Sequence, residues 1–72
     1  MLYMNTITNE QLFSFTQFVG DVIAKESTKG ALIDHTVCYF GVCPKDAAEL
    51  ITRCEELEYI EKTENGYRIT TV

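Results

Sequence analysis

The sequence predicts an α+β domain of three helices, one short strand and a C-terminal two-stranded hairpin. Three features predict it: a helix-capping signal at Thr8, a stop, turn and start cluster between Phe40 and Ala47, and an Asn65-Gly66 pair near the C-terminus. The 72 residues suffice for one small domain whose core is marginal, a size at which a partner or second subunit often helps. An apolar fraction of 46% and an aromatic fraction of 11% belong to a folded chain and exclude a disordered one.

Thr8-Asn9-Glu10-Gln11 fits a capping box, with Ile7 placed to staple against Leu12. At helical spacing Leu12, Phe15, Thr16, Val19, Val22 and Ile23 share one face, predicting a buried stripe on a first helix of about four turns. Phe13, Gly20 and Ala24 form a second stripe. It reads either as a tolerated surface Phe or as a face for a partner or for self-association, the latter making the chain a homodimer. Glu26 to Gly30 ends this helix, and Ala31-Leu32-Ile33 is long enough for a short strand only. Asp34 is then expected to cap a short second helix that buries Val37, Phe40 and Cys38.

Gly41 suits the left-handed residue that closes the second helix, Val42 can plug the space between helices, and Pro44 suits the first position of the third. The third helix is expected to run from Cys43, at its cap, to about Leu57. Ala47, Leu50, Ile51, Cys54 and Leu57 fall on one arc, whereas Lys45, Ala48, Glu49, Thr52 and Glu56 point away from it. Tyr59 to Thr63 and Tyr67 to Thr71 are β-prone runs around Asn65-Gly66. With Asn65 and Gly66 as the turn, Ile60, Lys62, Tyr67 and Ile69 share the inner face, and Thr63 pairs with Arg68 and Glu61 with Thr70.

This order resembles the winged helix-turn-helix superfamily over nearly the whole chain. Phe40-Gly41-Val42-Cys43-Pro44 matches the family's turn, Ala47, Ile51 and Cys54 match the anchors of its third helix, and Glu58-Tyr59-Ile60 matches its approach to the wing. Tyr67-Arg68-Ile69-Thr70 looks like the second wing strand. The departures are Glu58, where glycine is usual, and Cys43 in place of a serine cap. The resemblance implies a single winged-helix domain over residues 1–72, and a DNA-binding transcriptional regulator is its usual function. In such a regulator the third helix would present Lys45, Ala48, Glu49, Thr52 and Arg53 to the major groove, and the wing would present Lys62 and Arg68 to the backbone.

Charge argues for a different partner. Eleven acidic residues against six basic ones give a formal charge of −5, which a phosphate backbone or anionic membrane repels. Between Lys45 and Glu58 the two basic residues face five acidic ones, Asp46, Glu49, Glu55, Glu56 and Glu58. The preferred reading is a small acidic regulatory module that binds a protein with a basic surface through Lys45, Glu49, Thr52, Arg53 and Glu56. By analogy, phage- or mobile-element-type inhibitors of nucleic-acid machines act in this way. DNA binding through the third helix and wing is the alternative.

Chemistry finds little support. His35, Cys38, Cys43 and Cys54 lack a Cys-x-x-Cys pair, so neither a metal site nor a cofactor is expected. Cys43, at a helix N-terminus, is either a redox thiol or a cap residue without that role. With one histidine and neither a nucleophile elbow nor a phosphate loop, an enzyme is not expected. Met1-Leu2-Tyr3-Met4 does not resemble a signal peptide, no apolar run approaches a membrane span, and three cysteines do not make a disulfide framework. A cytoplasmic location is expected.

Overall fold

A computed structural model describes residues 6–72; the readings placed on Met1, Leu2, Tyr3 and Met4 lie outside the described residues. Helix α1 spans Asn9–Phe18 and continues as a π-helical turn over Val19–Ile23. Strand β1 is Glu26–Ser27, α2 is Lys29–Phe40, α3 is Pro44–Glu56, and strands β2 and β3 are Ile60–Lys62 and Tyr67–Ile69. The result is α+β, with three helices and a three-stranded antiparallel sheet in the order β1-β3-β2.

The capping box forms as expected. The Thr8 hydroxyl accepts from the Gln11 amide at 3.1 Å, and the Gln11 side chain accepts from the Thr8 amide at 2.8 Å. Ile7 and Leu12 are both buried. The apolar stripe departs from expectation at its end, where the Ala24 amide donates to the carbonyl five residues back, on Val19, at 2.9 Å. A π turn winds more slowly than an α turn, so residues after Val19 lose the phase that periodicity assigns them. Val22 and Ile23, expected in the core, are exposed, while Gly20 is buried.

Two further expectations are corrected. Ala31-Leu32-Ile33 is helical rather than extended, because Thr28 caps α2 with its hydroxyl accepting from the Ala31 amide at 3.2 Å. Asp34 therefore lies inside α2, and the short strand sits earlier, at Glu26–Ser27, where it pairs with β3. Cys38 is exposed, because the longer α2 turns Leu32, Thr36 and Phe40 inward instead.

Gly41, at φ 68°, closes α2, Val42 is buried, and Pro44 opens α3 as expected. The hairpin register differs by two residues, with Ile60 opposite Ile69, Glu61 opposite Arg68 and Lys62 opposite Tyr67. The Thr63 amide bonds the Gly66 carbonyl at 2.8 Å, leaving Glu64 and Asn65 at the tip. A shift of two preserves the alternation of faces, so Ile60, Tyr67 and Ile69 still point inward, but Lys62, expected with them, is exposed at the end of β2. Gly66 is fixed by crowding: a Cβ there would lie 2.2 Å from the Ser27 carbonyl oxygen.

The core packs Leu12, Phe15 and Val19 of the first helix against Leu32 and Phe40 of α2 and Ala47, Leu50, Ile51 and Cys54 of α3. Beyond β3 the chain lies along α1. The Thr71 hydroxyl donates to the Thr16 hydroxyl at 3.0 Å, and Val72 covers Gly20.

Candidate functional site

Helix α3 separates its faces cleanly. Ala47, Leu50, Ile51 and Cys54 are buried, while Lys45, Glu49, Thr52 and Glu56 are exposed and Ala48 is half-buried. The helix starts where it does because Pro44 needs no amide partner in the first turn. Cys43 occupies the cap with an exposed thiol that makes no capping hydrogen bond. Asp46 stands in the first turn, where the positive end of the helix dipole favours a carboxylate.

The far end of α3 closes with a left-handed residue. The Tyr59 amide bonds the Cys54 carbonyl at 2.9 Å and the Glu58 amide bonds the Glu55 carbonyl at 3.0 Å, the paired bonds of a Schellman termination. Its left-handed position belongs to Glu58, at φ 63°, the one described non-glycine residue with positive φ. The Glu58 carbonyl also accepts from the Thr70 hydroxyl at 2.5 Å, tying the helix end to the strand beyond β3.

Arg53, expected on the interaction face, is turned elsewhere. Its guanidinium donates to the Ile7 carbonyl at 3.1 Å and to the Asn9 side-chain oxygen at 2.9 Å, clamping α3 to the start of α1. Arg68 is also engaged, in an ion pair with Glu61, its cross-strand neighbour. Lys45 and Lys62 remain exposed. Of the four basic groups that would meet a phosphate backbone, two therefore make intramolecular contacts, Arg53 partly buried and Arg68 on the open surface. On the exposed face of α3, Glu49 and Glu56 stand with Lys45 and Thr52, and the Thr52 hydroxyl donates back to the Ala48 carbonyl at 3.1 Å.

Among the described residues no three His, Cys, Asp or Glu side chains are grouped to hold a metal ion. Burial pushes the Cys54 thiol up to about 12, with the Arg53 charge opposing, so Cys54 behaves as a small apolar core residue. Burial also raises the Tyr67 phenol, with the Glu55 carboxylate adding to the effect. His35 and Cys38 line a shallow depression with Phe18, Ile23 and Tyr39.

The second stripe of the first helix is not one open face. Phe13 packs edge-on against Tyr59 with ring centroids 5.3 Å apart, Ala24 is half-buried, and Gly20 is enclosed by Ile69 and Val72. Sequence reasoning missed the exposed cluster that the π turn creates beside Tyr39, and no local signal announces it. Among the described residues no helix is long and apolar enough to cross a membrane. No protein-family model, curated protein or solved structure matches the chain.

Proposed function

We propose that this chain is a small winged-helix module of the cytoplasm that acts by binding, docking the exposed face of α3 on a basic surface of another protein. In this reading β2 and β3 are the wing, Glu58 stands where the family places glycine, and Lys45, Glu49, Thr52 and Glu56 form the docking face. The carrying observation is electrostatic. The basic residues that would anchor the third helix and wing to phosphates include Arg53 and Arg68, which are bound to Ile7, Asn9 and Glu61. Glu49 and Glu56 stay exposed on the same helix. A carboxylate beside a phosphate raises the energy and releases no counterion, whereas the same carboxylate attracts a lysine- or arginine-rich surface.

The face matches a partner that itself handles nucleic acid, since such proteins present basic grooves. An inhibitor of a nucleic-acid machine would use this complementarity by occupying the groove. The test is an amide chemical-shift titration with two probes, an arginine-rich peptide and a mixed-sequence DNA duplex. Peptide-induced shifts at Glu49, Thr52 and Glu56, weakened by salt and absent in a Glu49→Lys, Glu56→Lys variant, support the proposal. Saturable shifts with the duplex at Lys45, Thr52 and Lys62 would overturn it in favour of a DNA-binding regulator.

A further inference from the structure

Asn65 and Gly66 are not the two central residues of the hairpin turn. The Thr63 amide bonds the Gly66 carbonyl at 2.8 Å, so the tip is Glu64 and Asn65, both exposed. Among the described residues, neither the Asn65 side chain nor the Gly66 amide makes a hydrogen bond. Gly66 lies so close beneath β1 that a Cβ on it would stand 2.2 Å from the Ser27 carbonyl oxygen and 2.7 Å from the Thr28 Cα. The packing therefore demands glycine at 66, and glycine shields its own nitrogen least of all residues. An exposed, unbonded carboxamide is thus followed directly by an unshielded backbone nitrogen.

We propose that Asn65 is a site of spontaneous covalent modification, at which the Gly66 nitrogen attacks the side chain and converts Asn65 to aspartate and isoaspartate. Water is the only co-reactant, and nothing is oxidised or reduced. The Gly66 amide gives its proton to solvent and its nitrogen bonds Asn65 Cγ. The Cγ–Nδ2 bond breaks, and Nδ2 takes up a proton and leaves as ammonia. Water then opens the cyclic imide. Addition at Cγ breaks the new bond and leaves aspartate in an ordinary main chain. Addition at the Asn65 main-chain carbonyl carbon breaks the original peptide bond instead, and the chain then runs through the side chain as isoaspartate. Ring closure needs rotation about the Asn65 Cα–C bond. With Gly66 held under β1, the exposed tip is the part that turns.

The same chain holds a contrasting asparagine. Asn9 begins α1, and its side-chain oxygen accepts from Arg53 at 2.9 Å, so its carboxamide is held away from the following nitrogen. The products at Asn65 also have unequal consequences. Both add a negative charge beside Glu64 on a chain already at −5. Isoaspartate alone lengthens the main chain, by a methylene, just before a glycine that has no room to approach Ser27. The pairing of β1 with β3 is what gives way, where the Ile69 amide bonds the Lys25 carbonyl at 2.7 Å. None of this depends on the function proposed for α3.

The test ages the full chain, folded, near neutral pH and at a mildly alkaline pH, and then digests it with trypsin. Cleavage after Lys62 and Arg68 releases residues 63–68, in which Asn65 is the asparagine. The expected result is that this peptide gains the mass of an amide-to-acid exchange and splits into two products. Conversion is expected to be faster at the higher pH, where more of the attacking nitrogen is deprotonated, while fragmentation shows Asn9 intact. Asn65→Gln, at an exposed position, is expected to give neither product. Hydrogen exchange at the Ile69 amide is expected to be at least about tenfold faster in the isoaspartate form and unchanged in Asn65→Asp. Asn65 that stays intact in the folded chain while a synthetic 63–68 peptide converts fully would overturn the proposal, as would conversion confined to the urea-unfolded chain. An isoaspartate form with undiminished protection at Ile69 would overturn the link to β1.

Discussion

Replacing Glu58 with glycine is expected to stabilise the domain. An L-residue in the left-handed region costs about 1–2 kcal/mol. Glu58 holds that conformation, at φ 63°, to complete the termination of α3. Its carboxylate also lies beside the negative end of the helix dipole, an unfavourable placement of about 0.3–1 kcal/mol. Against these gains, glycine loses about 0.5–1 kcal/mol more conformational entropy on folding. The net is a stabilisation of about 1 kcal/mol, or a rise in Tm of about 4–8 °C for a domain of this size. Thermal unfolding followed by circular dichroism measures it. Glu58→Gln removes the charge but keeps the backbone strain, and is expected to recover only the electrostatic part, about 0.3–1 kcal/mol. An unchanged or lower Tm for Glu58→Gly would refute the reasoning, because it would mean that the strain is absent or that the side chain holds the turn.

Gly66→Ala is expected to cost at least about 3 kcal/mol by denaturant unfolding, since the added Cβ meets Ser27 and Thr28 backbone atoms at 2.2 and 2.7 Å, and separating them parts β1 from β3. Arg53→Met keeps the aliphatic packing but removes the clamp on Ile7 and Asn9, and a loss of about 1–3 kcal/mol in the same assay is expected. Stability is also expected to fall in alkali. The Cys54 thiol ionises near its ordinary 9.0 when unfolded and near 12 when folded, so its contribution is complete below pH 9 and is lost as pH rises toward 12. The slope approaches about 1.4 kcal/mol per pH unit. Cys54→Ala should flatten the decline, leaving the part due to Tyr67, whose phenol is also raised by burial.

What could be read in the sequence is what local chemistry decides. The Thr8 capping box, the Gly41 and Pro44 turn and the two faces of α3 each depend on residues within one or two helical turns, and all form as expected. The errors arise where distant residues decide. The π turn brings Gly20 against Ile69 and Val72, which lie about fifty positions away in sequence, and no period in the first helix signals it. Strand β1 is two residues long and is defined by its pairing with Tyr67 and Arg68. Thr28 and Asp34 both suit a helix cap, and Gly30 between them reads as a breaker. In the structure it sits in the first turn of α2, with open space around it.

The candidate site divides in the same way. The exposure of Lys45, Glu49, Thr52 and Glu56 follows from helical spacing alone. The engagement of Arg53 does not, because its partners Ile7 and Asn9 lie 46 and 44 positions away. Arg68 meets Glu61 only in the observed hairpin register, since the register built on an Asn65-Gly66 turn sets Thr63 against it instead. Both differences place a guanidinium on an intramolecular partner that helical spacing and turn chemistry do not reveal.

The most direct test of a protein rather than a DNA partner is a fluorescence-anisotropy titration of the purified chain into a labelled mixed-sequence duplex at low salt, where phosphate contacts are strongest. The expected result is no saturable binding below about 100 μM, the weak end of non-specific DNA affinity. Binding at micromolar Kd or tighter, falling steeply as salt is raised, would contradict it and make α3 a DNA-reading helix.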